Sequence, residues 1–154
     1  ESILEVEGVD YIHIGLNDLH LGYGMRFMFE LLADGTVERL CRKIQTKGIP
    51  YGFGGVARIG EGTLSAECII AGHYRLKSSM AILSRSFCNV SQIKDYDRIA
   101  RIFHEGVSEI RHYETKLLQS DNIFFAKNSK LVCKKVAEII SALEINSLGR
   151  GSIE

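Results

Sequence analysis

Three short β-rich runs separated by helical patterning set the limits on this fold. VDYIHIG (Val9–Gly15), IPYGF (Ile49–Phe53) and SMAIL (Ser79–Leu83) each lead into a loop. The first is largely apolar, as expected of a strand covered on both faces in a parallel sheet. Its loop is LNDLHLGYG, Leu16–Gly24, followed by a helical stretch in two pieces around Asp34-Gly35. The second piece puts Val37, Leu40, Cys41 and Ile44 on one face, with Thr36 as N-cap and Gly48 as C-cap. Pro50, the single proline, sits at the start of the second run, where a missing N–H does little harm. A glycine-rich loop, Gly54–Gly62, and a short helix over Ser65–Tyr74 lead to the third run. Strands alternating with helices imply parallel pairing through right-handed crossovers.

From about Asp95 the pattern is helical only. Ile99, Ile102, Phe103, Val107, Ile110, Leu117 and Leu118 mark one amphipathic helix, and Ser129–Leu143 a second. The closing GRGSIE reads as frayed. The chain therefore divides into an α/β part, residues 1–88, and a helical segment, 89–154. Three parallel strands suit a small open α/β domain or the C-terminal portion of a (β/α)8 TIM barrel, which needs roughly 250 residues. The opening ESILEVEG reads as the interior of a longer protein and favours the second.

Charge is balanced, with 19 basic and 19 acidic residues, which argues against a nucleic-acid surface. No stretch approaches the roughly 18–20 apolar residues of a membrane helix. Cys41, Cys68, Cys88 and Cys133 form no CxxC pair; they read as reduced, mostly buried thiols of a cytoplasmic protein, poorly spaced for zinc.

In parallel α/β folds the active site lies at the carboxyl ends of the strands. The first loop there carries Asn17, Asp18 and His20, the second Arg58 and Glu61, and the third Ser84, Arg85 and Ser86. Asp18 is the sharpest candidate: a carboxylate just past a strand can bind a hard divalent cation or simply close an Asx turn. Gly52, Gly54 and Gly55 allow either close approach of a ligand or a tight turn. Arg58 and Arg85 can clamp a carboxylate or phosphate, or stay solvated. His20 sits where it can move a proton. His13 reads as a packed or barrel-lining histidine; His73, His104 and His112 read as ordinary helix positions.

The segment GVDYIHIGLNDLHLGYG, Gly8–Gly24, resembles the strand-IG-x-x-DLS motif of the HpcH/HpaI aldolase and citrate lyase family. The resemblance continues through KGIPYGFGG and ends at SMAILSR, covering about residues 5–87, a little over half of the chain. It implies a (β/α)8 barrel that makes or breaks carbon–carbon bonds beside a pyruvate-like enolate, with Mg²⁺ or Mn²⁺ as cofactor. It also implies Asp18 as a metal ligand, and Gly15, Leu16 and Asn17 around a keto-acid or acyl-CoA-like substrate. A cation chelated by the keto acid stabilises the enolate. The family's glutamate ligand belongs further upstream of the aspartate than the 17 residues available here. Its arginine and histidine–aspartate pair belong to still earlier strands. His20 stands where many members have serine, and Lys77 where a glycine suits the approach to a strand.

The leading expectation is therefore a fragment of a metal-dependent lyase, inactive alone, with His20, Arg58 and Arg85 as catalytic or acid-binding candidates and Gly54 and Gly55 beside the substrate. The rivals are a non-enzymatic scaffold or oligomerisation module, and a barrel that grips phosphate with its GFGG and SRS loops. Half a barrel leaves two sheet edges open, so either a homo-oligomer or a rearrangement of the helices over the sheet is expected.

Overall fold

The computed structural model describes residues 2–150. After a 3-10 turn at Ser2–Glu5 come β1 (Ile12–Ile14), α1 (Leu16–Gly22), α2 (Glu30–Ala33), α3 (Thr36–Gln45), β2 (Tyr51–Val56), α4 (Ala66–Arg75), β3 (Met80–Leu83), α5 (Tyr96–Leu118) and α6 (Asn122–Arg150). The strands form an open parallel sheet in the order β1-β2-β3. They do not close into a barrel.

Central β2 positions everything else. Ile12, His13 and Ile14 lie opposite Tyr51, Gly52 and Phe53. On the other side Gly52 pairs Met80, and the register slips before Gly55 meets Ile82 and Val56 meets Leu83. Gly54, with φ of +58, lies in the slip, where a left-handed residue adds local twist to the strand. Residues two apart share a face. The Tyr51 hydroxyl donates to the Leu76 carbonyl just past α4 and accepts from Gln45 of α3. The Phe53 ring stacks on His73 of α4 with centroids 3.8 Å apart. Helices α3 and α4 therefore cover the same face of β2, burying Val37, Cys41, Ile44, Ile69 and Ile70.

The two long helices form the outer layer. Gly106 of α5 sits over Phe87, so close that a Cβ there would stand 2.6 Å from the ring's Cζ. Helix α6 packs on α4 and α2. Asn128 donates to the Cys68 carbonyl at 3.0 Å, Cys133 Sγ reaches the Ala33 carbonyl at 3.5 Å, and Arg26 pairs with Glu144 at 3.0 Å.

Several local expectations change. The segment from Leu16 expected as a loop is helix α1 through Gly22, because Leu16 and His20, four apart, turn one face inward and both are buried. Gly35, not Thr36, is the N-cap of α3; Thr36 is its first residue, and its amide and hydroxyl both donate to the Asp34 carboxylate. Helix α3 stops at Gln45 with Thr46 as C-cap, and Gly48 lies beyond it. Strand β2 runs on through the first two loop glycines to Val56. Helix α6 begins at Asn122, earlier than Ser129, where the Asp121 carboxylate accepts from the Phe124 amide at 2.8 Å. Of the tail expected to fray, Gly149 and Arg150 belong to α6 and residues 151–154 lie outside the described residues. Among the described residues no helix is long and apolar enough to cross a membrane.

Candidate functional site

The parallel strands end along one edge of the sheet, which gathers the first turn of α1, the turn after β2 and the turn after β3. Gly15 is the N-cap of α1 and gives it no side-chain hydrogen bond. Asp18 lies in the first turn, exposed, with Oδ2 3.6 Å from where a Gly15 Cβ would stand. A carboxylate there interacts favourably with the free N–H groups of the helix start. Asn17 is exposed beside it, while the Leu16 side chain is only 1% exposed.

Leu16 joins the first two turns. Its Cδ1 lies 2.8 Å from the position of a Gly54 Cβ, so Gly54 makes room for the protein's own leucine. Gly55 lies beneath the Ser84 side chain, whose Cβ is 3.2 Å from a Gly55 Cβ position. The Ser84 hydroxyl pairs with that of Ser86 at 2.7 Å, and Arg85 between them is exposed.

His20 is turned into the protein. Its Nδ1 lies 3.1 Å from the Leu16 carbonyl, which can only accept, so Nδ1 carries the proton and Nε2 is the acceptor in the neutral ring. Arg58 points away from the strand ends toward α5, where its guanidinium lies 3.6 Å from Glu109. Its Nε is buried without a partner. Glu61 is exposed. The structure thus brings Gly15, Leu16, Asp18, Gly54, Gly55 and Ser84 to one edge and directs Arg58 elsewhere.

The fit to a divalent cation is incomplete. Mg²⁺ asks for about six oxygen ligands in near-octahedral geometry. Asp18 offers one carboxylate, and among the described residues no group of three His, Cys, Asp or Glu side chains gathers to hold a metal.

The histidines divide. His13, opposite Gly52, is exposed, which sets aside packing but not the barrel-lining alternative, and partial burial lowers its pKa. His104 and His112 are exposed on α5, as helix positions often are. His73 is no ordinary helix position. It is 6% exposed, its Nδ1 contacts the Ser78 hydroxyl at 2.8 Å, and its Nε2 is buried with no partner. Burial, with a smaller contribution from His13, pushes its pKa down to about 4. The sequence signal was its place three residues after Ile70, on the inward side of α4.

No family model matches this chain, and no curated protein or solved structure matches it.

Proposed function

We propose that this chain is the C-terminal portion of a (β/α)8-barrel lyase of the aldolase type, contributing one part of a shared site. Residues 1–88 would supply strand ends and 89–154 the helices that brace them. The observation that carries the reading is the sequential parallel order β1-β2-β3 with both crossover helices on one face. A barrel is built by repeating that unit; one half of a doubly wound sheet shares it, and the two part only where a further strand reverses the order. The resemblance of Gly8–Gly24 to the aldolase motif points to the same class.

In this reading Asp18 gives one oxygen ligand to Mg²⁺ or Mn²⁺, and preceding strands of the barrel give the others. Such a cation polarises a keto acid's carbonyl. The backbone from Gly15 to Asn17 presents amides to the substrate carboxylate, and exposed Arg85 meets a distal acidic group. The His20 ring is oriented by the bond from its Nδ1 to the Leu16 carbonyl.

The test has two stages. Mn²⁺ titration followed by NMR should broaden the amide signals of Gly15 to Leu19 selectively, and Asp18→Ala should remove the effect. Pyruvate methyl exchange in D₂O should then appear only when the preceding strands are supplied, and disappear with Asp18→Ala. Uniform broadening, or selective broadening that survives Asp18→Ala, rejects the assignment of Asp18. Exchange by this chain alone rejects the shared site.

A further inference from the structure

The first half of α6 carries four lysines, Lys127, Lys130, Lys134 and Lys135, with no acid between Asp121 and Glu138. Helical spacing turns Lys127, Lys130 and Lys134 away from buried Val132 and Val136, with half-buried Lys135 at the margin of that face. Exposed Ile123, Phe124 and Leu131 lie among them. Lys134 meets Glu138 at 3.9 Å. Lys127, Lys130 and Lys135 pair with no acid among the described residues.

Beside this face a groove of about 500 Å³ runs between α6, α5 and the start of α4. Tyr113, Phe124 and Leu131 give it an apolar wall, and Lys127 and Lys135 also line it. The two lysines are separated by about 12 Å along the helix axis, with Leu131 midway. Glu67 is the one acid on the lining among the described residues. Its Oε1 accepts from the Gly60 amide at 3.0 Å and its Oε2 is buried, so neither oxygen answers the lysines.

The opposite chemistry lies near the start of the sequence, where no lysine or arginine precedes Arg26. Within residues 3–11, Glu5, Glu7 and Asp10 are exposed, and so are Ile3, Val6 and Tyr11. Leu4 packs against the core and fixes the segment to its own body, and none of residues 3–11 lines the groove of its own chain. The chain thus carries two exposed surfaces that mix large apolar side chains with unpaired charge, one acidic and one basic. Exposed apolar groups rimmed by charge mark interaction surfaces.

We propose that a second copy of this chain fills the groove, seating its residues 3–11 along α6. Its apolar side chains rest against Phe124 and Leu131, and its Glu5 and Glu7 face Lys127 and Lys135. Each copy carries both surfaces, so the association is self-complementary. Opposite charges steer the encounter and set its register, while the apolar contacts hold it. An anionic bilayer or a foreign acidic protein would use the lysines and leave the acidic segment unmatched.

Sedimentation equilibrium of the full chain tests this. The native chain should self-associate at about 50 mM NaCl, and the Kd should weaken about tenfold at about 0.5 M NaCl. Glu5→Lys with Glu7→Lys should weaken self-association about tenfold or more, and so should Lys127→Glu with Lys135→Glu. Mixed in equal amounts, the two charge-reversed variants should associate again with near-native strength, which a folding defect in either could not produce. A native chain that stays monomeric at about 1 mM in low salt overturns the proposal. So does self-association that neither reversal weakens, or failure of the two variants to rescue each other. A native monomer brought down by phosphatidylserine vesicles would assign the lysines to a membrane surface and overturn it as well.

Discussion

Lowering the pH should loosen this fold well before its carboxylates are titrated, through His73. An unfolded histidine takes up its proton near 6.5, while the folded His73 resists protonation until about 4 because charging it would put a cation in an apolar layer. Between those values the unfolded chain binds more protons, so stability falls as the pH drops below about 6.5 and levels off below about 4. The full difference corresponds to about 3 kcal/mol, and the loss between about pH 7.5 and pH 5 to about 2 kcal/mol. His13, also lowered, acts in the same direction. Glu38 does not confuse the window. The hydrogen bond from Arg75 holds its carboxyl below its ordinary 4.5, so its contribution is complete above that value and is lost only as the pH falls through the folded value. Urea unfolding at about pH 7.5 and pH 5 provides the assay, with a midpoint shift of about 1 M for the native sequence. His73→Phe keeps the ring against Phe53 and removes the titration, so its loss should be smaller by about 2 kcal/mol. Equal losses in both proteins, or an NMR titration of His73 centred near 6.5, would show that its burial has been misread.

Gly54→Ala forces a Cβ onto a left-handed backbone beside Leu16, and should destabilise the protein by about 1–2 kcal/mol in the same urea assay. Gly106→Ala gains helix propensity of about 1 kcal/mol but meets Phe87 at 2.6 Å, so a net loss of about 1–2 kcal/mol is expected, with faster hydrogen exchange across α5. Thiol labelling of the native protein should give one rapid adduct, at exposed Cys133, and four after unfolding, because Cys41, Cys68 and Cys88 are buried. Burial holds the Cys41 thiol at about 12, so native labelling there would refute its placement.

The strands and α5 were legible because each follows one period, while α6 was legible only over Ser129–Leu143 because its apolar residues spread around the helix. Tyr51 and Phe53 mark a strand face, and Val37, Cys41 and Ile44 mark a helix stripe. Helix α1 was hidden because Asn17, Asp18 and three glycines carry the local chemistry of a loop, while burial of Leu16 depends on space left by Gly54 many residues later. The extension of β2 through Gly54 and Gly55 was hidden for a related reason: glycines read as a turn until two neighbouring strands pair with them. Site residues were found by where they fall relative to strand ends, which locates Asp18 but cannot foresee that Arg58 turns to Glu109. His73 was missed because periodicity gives its side of the helix and not the ring stacked beneath it.

Helix α6 joins its hydrogen-bond partners across 60 residues at Cys68 and 100 residues at Ala33. Closing such spans is slow compared with forming local helical turns. As the chain leaves the ribosome, the sheet and its first helical layer are complete in sequence before α6 has emerged, at about 5–20 residues per second. During that interval the surfaces of α2 and α4 that later receive Val132 and Val136 remain wet. The order of synthesis thus makes docking of α6 the step that covers α2 and α4, and shortening α6 should lower the yield of folded protein before it lowers the stability of what has folded.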